Sequence, residues 1–339
     1  MFPALHSEWL ERILGGPPPE ETEATCENCV MCRPEGQAGH AEVAYFDGSS
    51  KCCTYQPQLV NFVVGAMLED DSAEFAAGRT SIERRIDERD GVTPLGLQRP
   101  WAYDLLYRET MKSAEAFGRT PSLRCPHYLN GGCSIWKYRE PTCSTWFCRH
   151  VRGAVGRDFW SEVKVVLKLL EQALARHALL SVGIGAEALA RLFEPEAQSS
   201  PAMWGDWQGR ERAFYRAAAA AVVGIGWDEL RALGGVELEV HLRLLDEAYA
   251  HLRASDVPRR LRRRELHVLP SADDHCRVTT YRIYDPIELP TPLVDALHRF
   301  DGRPTAEVVA ELRREDGVVL DAQTLRKLVD FEVIGDASK

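Results

Sequence analysis

The sequence predicts a mainly α-helical protein with a loop-rich metal-binding module, a helical middle region and a small α+β, winged-helix-like domain at the end. Three observations predict it. Nine of the ten cysteines fall before residue 149, in segments rich in Gly, Pro, Ser and Asn. Apolar residues then recur at helical spacing from residue 158 to about residue 253. Beyond residue 257, short β-rich runs precede three short helical patterns.

The bulk numbers set the frame. The chain has 339 residues, 45% hydrophobic and 27% charged, with a formal net charge of −10. That is ordinary globular composition, long enough for two modest domains with real cores. The acidic balance argues against nucleic acid as a main partner, because the phosphate backbone needs a basic face. One basic run, Arg259-Arg260-Leu261-Arg262-Arg263-Arg264, reads as a solvated linker or helix end with no aromatic residues interleaved. The longest apolar stretches, such as Ala217 to Trp227, are too short to span a bilayer. Met1 to Gly16 contains Glu8, Glu11 and Arg12 and lacks a signal-peptide pattern. A cytoplasmic protein with no membrane partner is therefore expected, and thiols stay reduced there. Ten cysteines then read as metal ligands or redox groups, not as a disulfide scaffold.

In chain order, residues 1–25 form the expected flexible lead-in, with GGPPPEETEAT at 15–25. Residues 26–157 form the cysteine-cluster domain. Inside it, helices are expected over Gln58–Glu69, Ser72–Arg89 and Trp101–Phe117; Gly91, Pro94, Gly96 and Pro100 separate the last two. Residues 158–256 form the helical region. Phe159, Val163, Val166, Leu167, Leu170 and Leu174 mark one long amphipathic helix to about Leu180, a core-packing stripe. Glu187–Phe193, Arg210–Val223 and Val236–Arg253 continue as helices. Residues 257–339 form the last domain. Glu265–Leu269 and Arg277–Tyr284 predict a hairpin, followed by helices over Pro290–Phe300, Thr305–Glu315 and Asp321–Phe331.

The cysteines carry the chemistry. Cys26, Cys29 and Cys32 place three thiols on one tight loop, a spacing that wraps one face of an iron–sulfur cubane when a distant fourth thiolate completes it. Structural zinc sites more often use two separated C-x2-C pairs, so the spacing favours iron–sulfur over zinc. Cys52 and Cys53 are adjacent, and neighbouring side chains diverge. The pair reads as serving two metals or a multinuclear one, or as one ligand beside one buried small hydrophobe. Cys125, Cys133, Cys143 and Cys148 supply four more thiols, with Gly131-Gly132 permitting a tight turn and Pro126 and Pro141 stiffening the loops. Nine thiols suffice for two four-thiolate sites with one left over.

KCCTYQP at 51–57 and RCPHYLNGGCSIWKYREPTCSTWFCRH at 124–150 resemble the YkgJ-type family of zinc- or iron-chelating cysteine-cluster proteins. In that family a C-x2-C-x2-C-C element precedes a C…G-C-x-I-Y-x-x-R-P-x-x-C-x-x-F-x-C element. Cys125, Cys133, Cys143 and Cys148 match the second element, and so do Ile135 and Arg139. Trp136 and Trp146 stand where the family has Tyr and Phe, and Pro141 sits one place late. In the first element Cys32 and Cys52 are separated by 19 residues instead of being continuous. The resemblance covers about residues 26–150 and implies metal binding. The tail is similar to the PqqD-like winged-helix domains, related to the peptide chaperone of pyrroloquinoline-quinone biosynthesis. Leu293, Leu297, Phe300-Asp301-Gly302, Val308, Leu312, Leu325 and Leu328 carry that likeness. It implies a peptide held along a strand edge.

Other candidates take lesser roles. His127 and His150 read as supporting hydrogen-bond donors to the metal loops or simple loop residues, since thiolates already suffice. Asp273-Asp274-His275-Cys276 is a weak ligand set with a buried, inert cysteine as its plainer reading. Trp136, Trp146, Phe147, Phe159 and Trp160 are expected to pack over the metal loops. The chain has no G-x-S-x-G elbow, H-E-x-x-H, Walker A loop or C-x3-C-x2-C spacing. The functional expectation is an iron–sulfur protein with one or two 4Fe-4S clusters on Cys26, Cys29, Cys32, Cys52, Cys53, Cys125, Cys133, Cys143 and Cys148. It would act in electron transfer or redox modification of a partner. The alternatives are a structural Zn2+ protein serving as an interaction module, and a peptide-modifying enzyme whose tail captures a protein or peptide partner.

Overall fold

The computed structural model describes residues 2–22, 24–27, 29–32, 45–113, 116–192, 201–254, 256–271 and 274–338. The protein is mainly α-helical with small sheets. Among the described residues no helix is long and apolar enough to cross a membrane. The chain divides into two units. One comprises residues 1–18, 24–146 and 164–243, and the other residues 19–23, 147–163 and 244–339.

The first unit begins with α1 (Ala4–Leu14), inside the segment expected to be a flexible lead-in. The reason is an overlooked helical stripe: His6, Trp9 and Leu10 are all buried, at positions i, i+3 and i+4. His6 Nε2 lies 2.8 Å from Glu171 Oε1, and Nδ1 lies 3.1 Å from Ser144 Oγ. Gly15 ends the helix in the left-handed conformation, at φ 67°.

The antiparallel ribbon β1 (Leu59–Val60), β3 (Gly96–Leu97) and β2 (Val92–Thr93) follows, ordered β1-β3-β2. It supports α2 (Asn61–Glu69), α3 (Ala76–Asp87) and α4 (Trp101–Thr110). Asn61 anchors the start of α2: its Nδ2 donates to the carbonyls of Pro94 and Ala175, each at 3.0 Å. All three helices are shorter than the apolar pattern predicts: β1 takes the first residues of α2, a 3-10 turn at Ala73–Phe75 opens α3, and α4 stops at Thr110. Helix α6 (Gly153–Ser181) buries the whole predicted stripe from Phe159 to Leu174, and its residues from 164 onward belong to this unit. Helix α7 (Ala186–Arg191) ends before Phe193, which lies outside the described residues. Helix α8 (Glu211–Ala221) packs on α2. Helix α9 (Trp227–Arg253) starts nine residues before its expected Val236 and kinks at Gly235, at φ 62°. The core gathers Leu59, Val64, Met67, Ile82, Phe214 and Tyr215.

In the second unit the hairpin forms between β7 (His267–Pro270) and β8 (His275–Thr279), and β9 (Ile287–Pro290) extends it. Three helical segments follow: α10 (Thr291–Ala296), α11 (Thr305–Glu311) and α12 (Ala322–Asp330). Asp321 caps α12 by accepting the Thr324 amide at 2.7 Å. The basic run is neither linker nor helix end. Arg260–Arg263 is strand β6, central in a second antiparallel sheet between β10 (Asp301–Pro304) and β11 (Ile334–Asp336). Burial of Leu261, with Leu297, Phe300, Val308, Leu328 and Ile334, holds it there.

The α2–α8 contact is tight at Gly65. A Cβ built there would lie 2.0 Å from the Tyr215 carbonyl oxygen and 2.7 Å from Ala219 Cβ. The neighbour is backbone and cannot turn aside. Gly65→Ala is expected to destabilise the protein by about 3 kcal/mol, measured by urea denaturation. Gly16→Ala, with open space around it, should change stability by no more than about 0.5 kcal/mol.

Candidate metal centre

The first unit builds its site from four short chain segments, each closed by its own turn. In the first, the Cys32 amide donates to the Cys29 carbonyl at 3.0 Å. Buried Met31 anchors the loop, its carbonyl accepting the amides of Tyr45 and Phe46. In the second, Lys51 adopts φ 50°, and the Cys53 amide returns to the Ser50 carbonyl at 3.0 Å. The two adjacent thiols therefore leave a turn and not a strand. In the third, the Cys125 amide donates to the Cys53 carbonyl at 2.7 Å, tying two cysteine segments by their backbones.

The hairpin of β4 (Tyr128–Leu129) and β5 (Gly132–Cys133) carries the next thiol. Its two loop residues are Asn130 and Gly131, at φ 50° and 81°. Positive φ at both central positions is the type I′ requirement, which Asn-Gly meets well. The turn thus falls one residue before the Gly131-Gly132 pair expected to make it. Gly132 then sits where a Cβ would be 3.9 Å from Cys26 Cβ, which places the first loop beside the hairpin. Lys51 joins them: Nζ donates to the Cys26 carbonyl and, at 2.7 Å, to the Gly131 carbonyl. Finally α5 (Pro141–Ser144) carries Cys143, whose carbonyl accepts Arg139 Nη1 at 3.3 Å.

The structure brings together eight of the nine predicted thiols: Cys26, Cys29, Cys32, Cys52, Cys53, Cys125, Cys133 and Cys143. All are reduced, and each acts electrostatically on others of the group. Backbone amides reach several sulfurs. Cys29 accepts from Met31 and Cys32, Cys125 from His127, Cys133 from Ile135 and Cys26 from Cys133. Such bonds favour thiolate. Burial opposes them and wins at most positions. It pushes Cys125 up to about 12 and Cys133 to about 11, and holds Cys143 and Cys26 above the ordinary thiol value. Cys52 is raised because its thiol donates to Cys53 and because it is buried. Cys29 goes the other way: it accepts a hydrogen bond from Cys32, which holds it below the usual range and raises Cys32 in turn.

Two cations moderate this group. Lys51 favours the thiolates of Cys26, Cys29 and Cys32. Arg139 is buried to 9% exposure, with its guanidinium 3.5 Å from the Trp136 ring centroid, and favours those of Cys133 and Cys26. Among the described residues, no three His, Cys, Asp or Glu side chains are already arranged around one ion position. The donor set nonetheless fits a thiophilic metal. It consists of soft sulfurs on tight turns with amide donors, and their unfavourable desolvation as thiolates is what a bound cation offsets.

The other candidates separate. His127 is fully buried, with Nδ1 2.7 Å from Ser81 Oγ, and burial lowers it to about 3, so the ring is neutral. Its contribution to the group is its backbone amide on Cys125. Cys148 belongs to the second unit, where it is buried and acts on Arg282. His150 lies there too; its amide donates to Asp285 Oδ2 at 2.8 Å. Cys276 approaches Thr291 Oγ1 at 3.5 Å. Asp273 lies outside the described residues. Of the five expected aromatic residues, Trp136 and Trp146 belong to the first unit, with Trp146 4.9 Å from Phe117. In the second unit, Phe147 and Phe159 instead each pack against Trp160, one tilted and one edge-on. Sequence reasoning missed Lys51, whose role comes from carbonyls 25 and 80 residues away.

Comparison with protein-family models, with curated proteins and with solved structures finds no match to this chain.

The sulfur pairing predicts selective reactivity. In the reduced, metal-free protein, Cys29 should be alkylated first near neutral pH, because its thiolate forms below the ordinary range. Its rate should rise with pH and level off before those of Cys125 and Cys133 begin to climb. Cys32→Ala removes the hydrogen-bond donor and should shift the Cys29 profile upward. Iodoacetamide labelling read by peptide mass spectrometry checks both.

Proposed function

We propose that the first unit is an iron–sulfur module of the YkgJ cysteine-cluster type, with the eight converging thiols holding one or two 4Fe-4S clusters. The observation that carries this reading is a group of eight buried or half-buried thiols, with three of their four segments joined by a backbone hydrogen bond and by Lys51. A purely structural core has no use for so many polarizable, individually costly groups in one place. Eight sulfurs also suffice for two four-thiolate sites, which the adjacent Cys52 and Cys53 could divide between them. Three sulfurs follow the C-x2-C-x2-C spacing that favours a cubane over a zinc knuckle. A bound cluster would supply one-electron redox chemistry, in electron transfer or in modification of a partner. The chain's own residues hold the thiolates, donate amide hydrogens to sulfur and set the local charge through Lys51 and Arg139.

The same reading extends to the second unit as a winged-helix-like partner module. Its three helices and two small sheets suit a domain that holds a protein or peptide. A cytoplasmic location follows from the need to keep ten thiols reduced.

Anaerobically purified protein should be brown and contain iron and acid-labile sulfide in near-equal amounts. Its visible absorbance should bleach with dithionite. Cys143→Ser and Cys125→Ser should each lose most of the iron while the protein keeps its helical circular dichroism. A colourless protein loaded with zinc and silent to dithionite would replace this reading with the structural-zinc one.

A further inference from the structure

Strand β6 presents an unusual arrangement of charge. Its neighbour pairs fix the faces: Arg263 lies opposite Ile334 and Leu261 opposite Asp336, while Arg262 lies opposite Gly335 on β11 and Asp301 on β10. Leu261 and Ile334 are buried, so Arg260, Arg262 and Arg264 share the outer face. All three are exposed. Glycines on the flanking strands make room for them. A Cβ on Gly302 would lie 3.3 Å from Arg262 Nη2, and one on Gly335 would lie 2.3 Å from Arg264 Nε. The guanidiniums therefore rest over glycine backbone. Arg260 Nη1 donates to the Gly302 carbonyl at 3.1 Å and Arg264 Nη2 to the Asp336 carbonyl at 3.5 Å.

Several other arginines of this unit meet carboxylates. Arg277 pairs with Glu288 at 2.7 Å, Arg299 with Asp316 at 2.6 Å and Arg303 with Glu311 at 2.8 Å. Asp301, the cross-strand partner of Arg262, is occupied by Arg303. Among the described residues none of Arg259, Arg260, Arg262, Arg263 and Arg264 has a carboxylate partner. A row of like charges destabilises itself by mutual repulsion, so this one is more readily explained by an anionic ligand than by folding.

The geometry points to an extended acidic peptide, lying on the outer face of the β6 sheet with carboxylates at alternate positions meeting Arg260, Arg262 and Arg264. An extended peptide and strand β6 share one rise, so alternate side chains in both repeat at about 6.8 Å. Each guanidinium offers a planar fork that a carboxylate matches bidentately. At the Arg264 end an open groove of about 520 Å³, lined by Glu265 and Glu332 with His267, Thr280 and Val329, suits a neighbouring side chain that is uncharged or basic and not a further carboxylate. Single-stranded nucleic acid fits less well: the row has no aromatic side chain on which a base could stack. The contact uses a sheet face and not a strand edge, and it stands independently of any metal in the first unit.

The test is fluorescence anisotropy on the full-length protein with three labelled probes. One peptide carries glutamate at alternate positions among serines. A second, of equal charge, carries glutamate at every third position. The third probe is a single-stranded oligothymidylate. The alternate peptide should bind about tenfold more tightly than the every-third peptide and weaken with added salt. Arg260→Gln/Arg262→Gln/Arg264→Gln should reduce that binding about tenfold with an unchanged thermal melt. The single Arg262→Gln should reduce it by about two- to threefold, a readout that survives if the triple variant misfolds. Equal affinity for the two peptides, tighter binding of the oligonucleotide, or full affinity in a well-folded Arg262→Gln overturns the proposal.

Discussion

Burying a thiolate costs free energy that burying a thiol does not, and the arrangement of the first unit's site follows from that asymmetry. Cys125 is buried, Cys52 and Cys143 are half-buried, and desolvation raises all three. Each amide aimed at a sulfur recovers part of the cost, and so does each cation nearby. The recovery is incomplete, which is why burial keeps most of these thiols protonated without metal. If it holds metal as proposed, a site in that condition couples metal uptake to proton release. Its affinity for metal should then strengthen as pH rises, as for thiolate sites generally.

The backbone at the site is irregular because its hydrogen bonds are spent on the sulfurs and on joining loops. Met31, Ile135 and His127 direct their amides to cysteine side chains instead of to a ladder. Among the described residues there, the strands are two residues long and the α-helix has four residues. Regular structure surrounds the loops and does not enter them. Helices α2, α3 and α8 carry the apolar core, so local rearrangement around a ligand need not disturb that packing.

What was legible in the sequence had a local signature. Thiol spacing drew attention to cysteines that act electrostatically on one another, and the stripe from Phe159 to Leu174 identified α6 because period and burial coincide over several turns. Other features carried signals that were weaker or pointed elsewhere. The stripe in α1 is only His6, Trp9 and Leu10, beside a proline-rich segment that draws attention to disorder. Strand β6 contains one apolar residue, Leu261, among arginines; its pairing with β10 and β11 is a long-range fact that no alternation within four residues reveals. The Asn130-Gly131 turn was readable from its dipeptide, and the adjacent Gly132 obscured it. Lys51 had no signature, because its partners meet only when three loops close.

Arginine serves this chain in two physically different ways. At Arg139 the guanidinium is buried, stacked on Trp136 and set among thiols, where a low local dielectric makes one charge act strongly on each sulfur. At Arg260, Arg262 and Arg264 the guanidiniums stand in water, where any single pair is weak and screened. A useful effect there needs several charges in register with several partners. The first arrangement tunes a fixed site through one residue, so even a conservative change at Arg139 alters its field. The second recognises spacing, so its specificity belongs to the row and to the glycines that let the row lie flat. The same side chain therefore acts on thiols in one unit and, as proposed, reads a ligand's spacing in the other, with burial determining which.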